Sequence, residues 1–302
     1  MPRLAYFLPL LVLLLSSLCI SPVELLTIKG IKHEERVEKA VNDVLVVQGV
    51  TTIPNPPILT DQSFELYINL ANLDETRTIR GVKVQVFDPS VFKLSGSSTK
   101  IVDILPLGEK VVDFSLRAPS AAEVANVRIA PRMSYRVLYD FNALSSYEVV
   151  VANRDEIRRL QQAGKTVSVV SNKILGSGPL KIYMELVGTN VIISGTTATL
   201  RVVVKNEGSG YLEGERIEAS KLVLEFPDDF TIEDHSETFS CSKNKCVNVD
   251  SIELFMRESP ALIFKLKAPT ISEPYKTFKI LASASYTYEL RGSIEVAVQP
   301  LG

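Results

Sequence analysis

The 302-residue sequence contains no tryptophan, only two histidines and only three cysteines. His33 and His235 lie in different regions, so histidine-based acid–base chemistry and zinc ligation lack their usual residue. Lys+Arg 33 against Asp+Glu 35 gives a net charge of -2, which provides no basic field for nucleic acid and excludes it as an expected partner. No G-x-S-x-G, H-E-x-x-H, G-x-x-x-x-G-K-(S/T) or G-x-G-x-x-G occurs, which removes the nucleophile-elbow, zincin, P-loop and dinucleotide readings. An ordinary N-x-S/T sequon is also missing, Asn244-Lys245-Cys246 being the one near match, so dense N-glycosylation is not expected. No enzyme activity and no cofactor is expected.

Hydrophobic residues at 46% and charged residues at 23% are the proportions of a folded protein, and the length suits two ordinary domains. Leu4 to Ile20 is an apolar run after Arg3, with Ser17 and Cys19 as small residues before a cleavage point. Residues 1–26 are therefore read as a hydrophobic helix that serves as a signal peptide, with an uncleaved N-terminal membrane anchor as the alternative. Membrane contact is expected only through this segment. Removing it leaves one cysteine pair, Cys241 and Cys246, spaced C-S-K-N-K-C. That spacing, without a second CxxC, suits a hairpin-closing disulfide in an oxidising exterior.

The most informative feature is repetition. Phe114-Ser115-Leu116-Arg117-Ala118-Pro119 recurs as Phe264-Lys265-Leu266-Lys267-Ala268-Pro269. A serine-tyrosine segment follows each, Ser134-Tyr135 and Ser285-Tyr286, and a strand ending in Asn72 or Asn206 precedes each. Phe64, Leu66, Ile68 and Leu70 alternate with Glu65, Tyr67 and Asn69, the period of a half-buried strand. Short alternating runs separated by Asn-Pro-Pro, Asp-Pro-Ser and Asn-Glu-Gly-Ser-Gly predict an all-β chain of two tandem immunoglobulin-like β-sandwich domains.

These modules span residues 43–153 and 165–302. Asn153 to Gly164 has an Asn cap, Ile157 and Leu160 on one face and a closing glycine, which predicts a linker helix over 154–164 that sets the orientation of the modules. Residues 27–42 read as a short spacer, with a brief exposed helix at Lys32 to Ala40.

With the copies aligned, each resembles the archaeal S-layer-associated and CARDB-like or NEW3-like β-sandwich repeats of exported surface proteins. The features that carry the resemblance are Pro54, Pro56 and Pro57 before the first long strand, the strand ending in Asn72 or Asn206, and the F-x-L-x-A-P strand. The first copy departs from it with Asn72-Leu73-Asp74-Glu75 in place of Asn-x-Gly. The resemblance implies a cell-surface location and partners among other envelope or surface proteins, with glycans as the alternative class.

Asp228, Asp229, Glu233 and Asp234 cluster on an expected loop and are weak metal candidates, a solvated acidic loop being the favoured reading. Tyr67, Tyr183, Tyr211 and Tyr275 would make a carbohydrate platform only if they formed one exposed row.

Overall fold

The computed structural model describes residues 31–300, and most of them lie in strands. The expected leader, residues 1–26, lies outside the described residues. Two 21-residue strands, Arg132–Ala152 and Tyr275–Glu295, pair antiparallel along their entire length, from Arg132 opposite Glu295 to Ala152 opposite Tyr275. At about 3.3 Å per residue this two-stranded spine runs about 65 Å, several times the reach of an ordinary strand. It forms the centre of an 11-stranded sheet.

Alternation gives the spine one apolar face. Met133, Tyr135, Val137 and Tyr139, followed by Ala143, Tyr147, Val149 and Val151, are buried in one continuous core. The same core takes residues from two four-stranded sheets. One consists of Leu45–Ile53, Ser63–Asn72, Glu109–Arg117 and Lys93–Leu94; the other of Leu180–Leu186, Thr197–Asn206, Leu262–Lys267 and Thr231–His235. Phe114 pairs with Leu66 in the first, and Phe264 with Leu200 in the second. The repeated motif thus fills the same place twice.

Phe114 and Phe264 are 150 positions apart, Tyr135 and Tyr286 are 151 apart, and so are Leu138 and Glu289, which face each other in the spine. A residue that pairs with its own counterpart marks a pseudo-two-fold axis, here normal to the sheet beside Leu138 and Glu289. The halves are therefore joined through a shared sheet, and this pairing, not a helical linker, fixes their orientation. The helix α1, Arg154–Gln162, has its first turn capped by Asn153, whose side chain accepts from the Asp155 and Glu156 N–H groups. It buries Ile157 with Ile31, Val150 and Val169, closing the far end of the spine on its other face.

Two expectations are corrected. Ile31–Lys39, read as spacer and helix, is a strand parallel to Val167–Leu175 and in unbroken register with it. Glu, Arg and Lys favour helix locally, but nine residues of backbone pairing outweigh that preference, and charges suit an exposed edge. Thr231–His235, read as loop, is also a strand. Val298–Gln299 from the second half also pairs with Ile58–Leu59 of the first.

Candidate functional site

Where the two halves meet, a groove of about 850 Å³ crosses the spine. Its floor consists of two cross-strand pairs. The Thr287 hydroxyl donates to Asp140 Oδ1 at 2.6 Å, and the Ser285 hydroxyl lies 3.5 Å from Asn142 Oδ1. One wall is Arg77 to Ile79 from the first half; the other is Glu213 to Glu218 with Lys221 from the second.

The first copy's departure from Asn-x-Gly explains how Arg77 reaches the groove. Buried Asn72 accepts from the Asp74 N–H through Oδ1 and donates to the Arg77, Ile104 and Leu105 carbonyls through Nδ2. Asp74 Oδ1 then accepts from the Thr76 and Arg77 N–H groups, both at 2.9 Å. Burial opposes ionisation of Asp74, but these hydrogen bonds and the neighbouring Arg77 charge outweigh it and hold the carboxyl below its ordinary range. Two successive Asx turns place Arg77 over the Phe141 ring, 5.3 Å from its centroid, with Nη1 donating to the Asn142 carbonyl at 3.3 Å.

Arg77 also borders a second hollow of about 480 Å³ further along the spine, lined by Leu144, Ile174, Leu281, Ser283, Lys279 and Glu225 among others. Leu144, Ile174 and Leu281 are exposed. The combined trough offers hydroxyls, both signs of charge and an apolar strip. Neither histidine lines it. Chemically it is suited to holding an extended polar ligand by hydrogen bonds and side-chain contact.

The residues singled out in the sequence lie elsewhere. Cys241 and Cys246 are bonded across the hairpin Phe239–Ser242 and Lys245–Asn248, with Cα atoms 4.1 Å apart. A bonded pair points to an oxidising environment. The four carboxylates are dispersed among separate partners: Asp228 with Asn244, Asp229 with Lys276, Glu233 with Thr197 and Asp234 with Lys265. Among the described residues no group of three or more His, Cys, Asp or Glu side chains is placed to hold a metal. Tyr67, Tyr183, Tyr211 and Tyr275 stand on four different strands in three sheets, so they do not form a row.

Two polar assemblies escape the sequence reading, and both fasten the N-terminal strand. Lys181 is buried, and its Nζ donates to the Ala40, Val41 and Gly176 carbonyls. Burial pushes its pKa down to about 8. Beside it, Glu207 binds both Lys39 and the Tyr183 hydroxyl. Burial, aided by Glu207, pushes Tyr183 up to about 12. Further along, His33 Nε2 meets Ser171 Oγ at 2.8 Å, and Lys173 pairs with Glu35 at 2.9 Å. No local signal marks Lys181, because its acceptors come from segments far from it in sequence or across a turn.

No family model matches this chain. No curated protein matches it either. Among solved structures, the C-terminal globular domain of an oligosaccharyltransferase from Pyrococcus abyssi is 11% identical with a TM-score of 0.24, covering 86% of this chain and 50% of that one. Alpha-2-macroglobulin of Escherichia coli, activated by porcine elastase, is 9% identical at a TM-score of 0.21, with 85% of this chain and 32% of that one covered. A Salmonella alpha-2-macroglobulin mutant is 7% identical at 0.22, with 86% and 23% covered. This chain thus spans half or less of each protein, and likenesses this slight carry no argument about its role. Among the described residues no helix is long and apolar enough to cross a membrane.

Proposed function

We propose that this chain is an exported, non-catalytic protein of the cell envelope that acts as a rigid structural or interaction module. One observation supports this most strongly: 21 residue pairs of the spine bind two sandwich halves into one body with a trough between them. Such a body spaces and orients partners without moving parts. The apolar leader-like run and the bonded cysteine pair support export to an oxidising exterior. The repeat pattern's resemblance to archaeal S-layer-associated modules supports an envelope role.

A second reading, a peptide- or carbohydrate-binding module, draws on the trough, where the Asp140–Thr287 and Asn142–Ser285 pairs lie beside exposed Leu144 and Leu281. A pull-down of the full chain from envelope fractions, with N-terminal sequencing of the native protein, tests the export reading. A mature start near Ile20 together with captured envelope proteins is expected. An intact Met1 in a cytosolic fraction would end it. Charge reversal at Arg77 discriminates the second reading, because only a trough ligand would be lost in Arg77→Glu.

A further inference from the structure

The last residues of the second spine strand leave a strand edge open. At the far end of the first spine strand the outer edge is covered: Ser145, Ser146 and Tyr147 pair with Val167–Leu175, and Val150 to Ala152 pair with Val191–Ile193. Beyond Val167–Leu175 lies Ile31–Lys39. The second spine strand has no such cover at its own far end. Tyr211–Leu212 pairs only with Glu289 and Tyr288, Gly210 packs against Leu290, and from Arg291 to Glu295 no further strand adjoins the outer edge among the described residues.

This edge is guarded by two charges alone, Arg291 and Glu295, and Arg291 is already paired with buried Glu289 at 2.8 Å. It contains no proline and no lysine, and its register with the first spine strand runs unbroken to Glu295, so no bulge turns it away. Arg291, Ser293 and Glu295 are exposed on the outer face, while Leu290, Gly292 and Ile294 turn toward the core side. Gly292 lies directly under the Tyr135 hydroxyl, where any Cβ would collide.

We propose that two copies of this chain join edge to edge, antiparallel along Arg291–Glu295, in a register centred on Ser293. Charge selects both the occupant and the register. With Ser293 facing Ser293, Arg291 of each copy lies between its own Glu289 and Glu295 of the other, giving two cross-strand ion pairs, and Ile294 lies opposite Gly292 of the other, beside the Tyr135 ring that covers it. Centring on Arg291 or on Glu295 would place like charges face to face, and centring on Gly292 would set Glu289 against Glu295. The contact is isologous, so it closes as a dimer and continues the spine sheet from one copy into the next. It stands whether or not the protein is exported.

Sedimentation velocity of the full chain across micromolar concentrations tests this. A monomer–dimer equilibrium is expected that weakens as salt is raised. Glu295→Arg sets two arginine side chains face to face at both ends of the contact and should raise the dimer dissociation constant at least about tenfold, with an unchanged thermal melt. Arg291→Glu should weaken the dimer likewise from the other side, with a lowered thermal melt because it also takes the partner from buried Glu289. Equimolar mixing of the two variants restores opposite charges and should recover the dimer mass. A wild-type chain that stays monomeric throughout, a Glu295→Arg variant that dimerises as wild type, or a mixture that stays monomeric would each overturn the proposal.

Discussion

Tyr139 and Tyr288 stand opposite one another in the spine with ring centroids 5.7 Å apart, yet only one hydroxyl is partnered. Tyr288 donates to Asn206 Oδ1 at 2.9 Å, whereas the buried Tyr139 hydroxyl has no hydrogen-bond partner among the described residues. Burial raises both phenols above their ordinary range, Tyr288 to about 12. Removing the partnered hydroxyl forfeits a bond, while removing the other relieves a desolvated group. Tyr288→Phe should therefore cost about 1–2 kcal/mol in urea unfolding, and Tyr139→Phe should be neutral or stabilising. Equal losses from the two changes would refute this contrast.

The shared sheet makes the halves thermodynamically inseparable. Phe114 and Phe264 are both essentially inaccessible, at 1% and 0% exposure, in a single continuous core. Phe114→Ala and Phe264→Ala should each cost about 3–5 kcal/mol, and each should lower one common unfolding midpoint. A calorimetric trace with two separate transitions, only one shifting per variant, would show that the halves melt on their own.

Lys181 is held by three backbone carbonyls and has little exposed surface. Lys181→Met keeps the length of the side chain but strands those acceptors, for a loss of about 2–4 kcal/mol. Hydrogen exchange should also quicken over Ile31–Lys39, since two of the carbonyls lie directly after that strand. A variant as stable as wild type would mean that water replaces the ammonium without cost.

His33 gives the N-terminal strand a dependence on pH. Burial lowers its pKa below 6.5, Glu35 pulls it back up and Lys173 pushes it down again. Ser171 bonds the ring, and Glu185 and Arg201 line the same pocket. With the folded pKa below the unfolded one, the unfolded chain takes up the proton first as pH falls. The stability His33 supplies is present above the ordinary histidine range and is lost as pH falls through it. Exchange over Ile31–Lys39, corrected for intrinsic rates, should rise between about pH 7 and about pH 5, and His33→Gln should flatten that rise. An identical pH response in the variant would assign the effect to other groups.

How much of this can be read beforehand depends on how local each cause is. Alternation in Phe64 to Leu70 is a property of seven consecutive residues, and the Asn153 cap of three, so strand and helix are legible at both places. The F-x-L-x-A-P repeat correctly sets Phe114 and Phe264 in equivalent positions because each copy repeats the same burial pattern. Ile31–Lys39 is misread because its strand character comes from pairing with Val167–Leu175, more than a hundred residues on. The trough is invisible for the same reason: Arg77, Asp140, Lys221 and Thr287 come from four distant segments. Cys241 and Cys246, five residues apart, need only a hairpin to meet.

The two ends of the described chain each fasten onto the half that holds the opposite end. Ile31–Lys39 awaits a strand that begins at Val167, and Ile58–Leu59 awaits Val298–Gln299. The first half therefore completes its pairing only after Val298–Gln299 of the second has been delivered. A product cut short of Val298 has a first half that lacks one of its clasps.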